Sequence, residues 1–201
     1  MFDRPAERPP SVKSRRGTAG CLALAGLSLL AAGAARAAAP QPVRPISSEV
    51  YSGRWYEIAR TPNTMQKDCA GATIDFQGLS DGAFSVVDTC HKGDPRGPAK
   101  IVKVKAKVIR PPDYTRFRMS FLGGMIHQEY WIIDHADDNS WAVMGTPGGN
   151  YVWLLSRRPV LAPLVLSSAM NRIAALGYTP SRLIFPAQIG GQTGGLTANT
   201  P

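Results

Sequence analysis

The sequence predicts an all-β domain, an eight-stranded antiparallel up-and-down barrel with a C-terminal α-helix packed outside. Three observations carry this prediction. Eight short apolar segments, each closed by turn residues, follow one another between Tyr51 and Ser156. Twenty Gly and 17 Pro among 201 residues suit a turn-rich sheet better than a helical bundle. After Arg158-Pro159 the apolar period changes from that of a strand to that of a helix.

The first strand is read over Arg54–Arg60 and the second over Ala72–Gln77. A Leu79-Ser80-Asp81-Gly82 turn leads into the third, Phe84–Cys90. The loop Gly93–Pro98 precedes the fourth, Lys100–Arg110, and Pro111-Pro112-Asp113 turns the chain into the fifth, Thr115–Leu122. Gly123-Gly124 sets off the sixth, Ile126–Asp134. The polar turn His135–Ser140 leads to the seventh, Trp141–Gly145, and Pro147-Gly148-Gly149 to the eighth, Tyr151–Ser156. Short antiparallel connections fit a barrel or a sandwich.

The fourth and fifth strands favour the hollow form. Val102, Val104, Ala106 and Val108 alternate with Lys103, Lys105 and Lys107. Phe117, Met119 and Phe121 alternate with Arg116, Arg118 and Ser120. Apolar inside and charged outside is what a closed barrel in water needs. Beyond the strands, Leu161, Leu164, Val165, Ala169, Ile173 and Leu176 form one amphipathic stripe. Pro163 suits the first turn of that helix and Gly177 its end. Leu183-Ile184-Phe185 reads as a short strand, and residues 188–201 as a disordered Gly-rich tail.

Residues 1–37 read as a cleaved signal peptide. A basic stretch precedes the apolar run Cys21–Ala35, and Ala35-Arg36-Ala37 offers small residues for cleavage. The run is about 15 residues, short of the roughly 20 that span a bilayer. Ser14-Arg15-Arg16 leaves the choice between general and twin-arginine export open. Cys21 stands at the start of the apolar run rather than after it, so lipoprotein anchoring is not expected. Removing the leader's six basic and two acidic groups lowers the formal charge from +9 to +5. That weakens a nucleic-acid reading, as does the separation of aromatic from basic side chains. Residues 38–48 read as an extended linker. Cys69 and Cys90 then remain, an even pair that favours a disulfide in an oxidising compartment over two free core thiols.

Gly53-Arg54-Trp55-Tyr56-Glu57-Ile58-Ala59-Arg60 resembles the Gly-x-Trp signature of the lipocalin family. Its extended form looks like the bacterial outer-membrane (Blc-type) lipocalins and apolipoprotein D. Tyr130–Asp134, Trp141–Gly145 and Asn150–Arg157 follow in family order, and the likeness covers about residues 49–187. The resemblance implies that Trp55 plugs one end of the barrel with Arg157 across its indole, a closure device rather than a binding site. It permits a Cys69–Cys90 bridge across the second and third strands without requiring one.

The resemblance also implies a binding protein in the periplasm or at the outer membrane. Its ligand would be a fatty acid, a lysophospholipid or a similar small hydrophobic molecule. Strand alternation nominates Val102, Val104, Ala106, Val108, Phe117, Met119 and Phe121 as lining, with Tyr130 and Trp153 added although their phase is not fixed. Alternation alone leaves open a lined pocket or a filled core. No catalytic residue, cofactor or metal is expected. Gly-x-Ser-x-Gly is absent, and His127 and His135, which could share a strand face, lack a third ligand. His91 is read in a solvated loop. The alternatives are an enzyme on the same scaffold, or a haem or pigment carrier with His127 as axial ligand. Peripheral membrane contact is compatible with the sequence, and a monomer or homodimer is left open.

Overall fold

The computed structural model describes residues 38–188. The leader and the far C-terminal tail lie outside the described residues. One turn of helix, α1 (Ser48–Tyr51), precedes eight strands. These are β1 (Gly53–Arg60), β2 (Cys69–Gly78), β3 (Phe84–Lys92), β4 (Ala99–Arg110), β5 (Asp113–Phe121), β6 (Ile126–His135), β7 (Trp141–Gly145) and β8 (Val152–Ser156). Helix α2 (Pro163–Ala175) follows. Each strand pairs antiparallel with its neighbours in sequence, and β1 also pairs with β8, closing the barrel.

Two apolar clusters divide the molecule. One lies inside the barrel: Trp55, Ile74, Phe76, Phe84, Val86, Phe117, Ile132 and Leu155 among others. The second lies outside it, where Ile58, Ala59, Trp141, Val143, Val152 and Leu154 meet Ala169, Met170 and Ile173 of α2. This is why β7 and β8 are buried on both faces and read as nearly unbroken apolar runs. Arg172 of α2 clasps Asp134 with two hydrogen bonds, one from Nε at 2.6 Å, and its guanidinium lies 4.9 Å from the Trp141 ring.

The helix departs from the expected stripe in its first turn. Leu164 is 86% exposed and Val165 36%, while Leu166 packs against the barrel. At 3.6 residues per turn Leu164 lies half a turn round from the buried Ile173. Leu183–Phe185 is no strand. It contributes one bridge, in which Arg60 and Ile184 exchange backbone hydrogen bonds of 3.0 and 2.9 Å. Residues 38–47 are extended and fastened to the barrel. The Ala39 amide donates to the Pro147 carbonyl and that of Val43 to the Ile133 carbonyl.

Two bulges reset the inside–outside phase. In β1 the register shifts between Glu57 and Ala59, so Glu57 and Arg60 both pair with inward-facing residues, Leu155 and Trp153. In β6 a shift between Ile132 and Asp134 breaks the alternation that would put His127 and His135 on one face.

Candidate ligand-binding site in the barrel

One end of the barrel is shut. Gly53 opens β1 with φ +92°, a conformation that favours glycine, and brings Trp55 inward two residues later. The Trp55 indole N–H donates to the Tyr51 carbonyl at 3.0 Å. The Arg157 guanidinium lies 3.8 Å from the Trp55 ring centroid. It also donates to the carbonyls of Arg54, at 2.9 Å, and Val50. Tyr51 sits above this plug against Phe117, Phe76 and Phe84, with centroid separations of 4.6, 5.6 and 6.3 Å. Burial raises the Tyr51 hydroxyl well above its ordinary pKa.

The nine residues nominated as lining all fall on the inner face, yet they do not share one environment. Val108 pairs with Phe117, Ala106 with Met119, and Phe117 with Tyr130. Phe117 and Ala106 are sealed in the closed half, where the ring of Phe84 stands 5.8 Å from that of Phe117. They belong to the core of that half, where Phe117 packs against the rings of Tyr51, Phe76 and Phe84. Val108 is partly buried against the same cluster. Val102, Val104 and Phe121 also face inward but keep accessible surface, nearer the opposite end. Met119, Tyr130 and Trp153 are buried between the two zones, with the Tyr130 and Trp153 rings 5.9 Å apart.

The half toward the open end also holds a polar group of side chains that the sequence reading missed. Glu57 and Arg60 form an ion pair, 0% and 1% exposed. Arg60 donates from Nη2 to the carbonyls of Gln66 and Cys69, each at 2.9 Å. Gln66, from the β1–β2 connection, donates to Glu57 Oε2 at 2.6 Å and accepts from the Trp153 indole at 3.0 Å. Asp88 stands opposite Val102 on one side and Ile74 on the other. Its Oδ1 is enclosed and meets no donor among the described residues.

Burial raises the Asp88 carboxyl to about 7, with the Glu57 charge adding to the rise and Lys100 and Arg60 opposing it. Burial likewise lifts Glu57 above the ordinary carboxylate value, although Arg60 pulls the other way. The Tyr130 hydroxyl rises to about 12 through burial and the Asp88 charge. Asp88 carries a readable signal: it interrupts the inward series Phe84, Val86, Cys90 with a charge. The inward placement of both Glu57 and Arg60 carries none, because it depends on the bulge.

Near this end Cys69 and Cys90 form a disulfide, Cα–Cα 5.3 Å. They are not directly opposite, since Cys90 pairs with Ala72 and the register shifts between Cys69 and Gly71. The rim exposes Met65 on the β1–β2 connection and Leu122, Met125 and Ile126 on the β5–β6 hairpin, between 52% and 80% accessible. His127 faces outward, its Nδ1 3.0 Å from Ser120 Oγ, and so cannot serve as an axial ligand inside. His91 lies on β3 rather than in a loop, with Nδ1 3.0 Å from the Gly97 carbonyl. Lys103, Lys105 and Lys107 form an exposed outer stripe, and Lys105 pairs with Asp81 at 2.6 Å.

Comparison with known proteins bears directly on this geometry. A profile described as a lipocalin-like domain matches residues 46–188. The outer membrane lipoprotein Blc of Vibrio cholerae is 27% identical over 153 residues, covering 74% of this chain and 88% of that protein. Apolipoprotein D of Rattus norvegicus is 28% identical over 121 residues, covering 56% and 61%. Insecticyanin from the tobacco hornworm Manduca sexta superposes with a TM-score of 0.59 at 17% identity, over 74% of this chain and 87% of its own, which bears on fold alone. The Vibrio relative is by name a lipoprotein, so the expectation that this chain is not lipid-anchored finds no support there. With a profile match across the whole barrel, a Trp-plugged end and an accessible one, the chain belongs to the lipocalins, a family that in general binds small hydrophobic ligands.

Proposed function

We propose that this chain is an exported lipocalin of the periplasm or outer membrane that carries an amphiphile in the open half of its barrel. A fatty acid or lysophospholipid is the ligand class, and lipid transport, storage or membrane maintenance the task. One observation carries the reading: Val104 and Phe121 pack against the interior of a closed barrel and still keep accessible surface, with Val102 two residues from Val104 along β4. Apolar groups left in that position gain about 0.8 kcal/mol for each methylene a ligand buries against them. Eight strands enclose room for one small ligand. The Vibrio relative's name places it at the outer membrane, which supports an envelope address.

Titration of a fluorescent fatty acid tests this. Phe121→Asp puts a charge in the path of the chain at a position with access to water, so folding persists. Uptake should weaken at least tenfold with an unchanged circular dichroism spectrum. Unchanged uptake would remove the open half as the site.

A further inference from the structure

The interior polar group has a donor and an acceptor left over. Arg60 spends Nη1 on Glu57 and Nη2 on two carbonyls, while its Nε–H is enclosed and meets no acceptor among the described residues. Glu57 accepts from Arg60 and Gln66. Gln66 is engaged on both amide atoms, and the Trp153 indole on its one donor. Asp88 Oδ1 is the enclosed acceptor without a donor. An enclosed polar atom without a partner is costly, and the Arg60 charge is near enough to act on the Asp88 carboxyl, so this unmet donor and acceptor call for a guest group that satisfies both. Both lie beside the apolar wall that would hold a hydrocarbon chain, Val102 standing opposite Asp88.

Resting on the amphiphile-carrier reading, we propose that Asp88 and Arg60 form a headgroup subsite selecting amphiphiles with an uncharged hydroxyl end, which donates to Asp88 Oδ1 and accepts from Arg60 Nε–H. An ammonium end can donate to Asp88 but offers Arg60 nothing, and it meets two cations, Arg60 and Lys100. An ionised carboxylate end can accept from Arg60 but faces the Asp88 and Glu57 carboxylates. The charged and titratable groups around Asp88 are Glu57 and Arg60 from β1, Lys100 from β4 and Tyr130 from β6. β2 presents only Ile74 to it in register. Because the Asp88 carboxyl lies near 7, protonation below neutrality turns the acceptor into a donor. A carboxylate end can then be held by both groups, so head selectivity narrows as pH falls.

Calorimetric titration of the full chain with decanol, decylamine and decanoate tests this. At pH 8.5 decanol should bind about tenfold more tightly than either ion. Between pH 8.5 and pH 6 decanoate should gain about tenfold, while decanol changes less than twofold. In Asp88→Leu the advantage of decanol should vanish, and in Asp88→Asn the pH response of decanoate should vanish. Decanoate equalling decanol at pH 8.5 in the wild-type chain, or an Asp88→Asn variant that keeps the pH response, would overturn the subsite. The wild-type measurements stand even if a variant fails to fold. Binding of all three without preference would sink the subsite and spare the carrier reading, whereas binding of none would sink both.

Discussion

Asp88 carries a stability cost that its proposed role explains. Its carboxyl titrates near 7 in the folded chain and near 3.8 when unfolded. Between those values the folded state holds the extra proton, so stability falls as pH rises from about 4 to about 7 and stays low above that. Asp88→Asn removes this dependence. We expect it to be more stable than the wild type by on the order of 2 kcal/mol at pH 8, with no gain at pH 4, in urea unfolding at the two pH values. A gain of equal size at both would separate the effect from ionisation. At the closed end, Arg157→Ala loses a cation–π contact of about 0.5–2 kcal/mol and two hydrogen bonds of about 1 kcal/mol each. Denaturant melts should show a loss of about 2.5–4 kcal/mol with little change in ligand affinity, because the plug lies away from the open half.

At the scale of elements, strand alternation made the barrel legible, and the bulges and the helix phase were the parts it missed. Alternating apolar and basic residues on β4 and β5 are enough to orient Val102–Val108 and Phe117–Phe121. A bulge has no such mark in composition, which hid the inward pair Glu57 and Arg60. In α2 the expected Ala169, Ile173 and Leu176 do face the barrel, but the apolar residues of the first turn are spread around the helix, so their period alone could not show that the barrel takes Leu166 rather than Leu164. Ile173→Ala should therefore cost about 2–5 kcal/mol by cavity formation, whereas Leu164→Ala should stay within about 0.5 kcal/mol. Equal costs in thermal melts would return the helix to the expected phase. Replacing both Cys69 and Cys90 by Ser frees a loop with a sequence separation of 21 and should cost about 3 kcal/mol.

For the whole molecule, the difference between a fully buried end and a partly accessible end of the barrel interior is what the sequence could not supply. Alternation places Phe117 and Phe121 on the same inner face. Only the packing of Tyr51, Phe76 and Phe84 shows that the first is core and the second is accessible. Phe117→Asp would therefore unfold the chain, and Phe121 or Val104 is the place to test binding. The exposed rim of Met65, Leu122, Met125 and Ile126 surrounds the open end, together with the exposed Lys67, Lys92, Arg96 and Lys100. Apolar tips with basic neighbours suit brief contact with an anionic bilayer. Met125→Asp should reduce sedimentation with anionic vesicles severalfold while leaving affinity for a soluble fatty acid unchanged.

The proposed function rests on an amphiphile occupying the barrel. Native mass spectrometry of the chain purified from its own compartment, followed by extraction and identification of the bound molecule, tests it most directly. One bound amphiphile per chain is expected. An empty barrel that also refuses both fluorescent fatty acids and decanol in titration would contradict it.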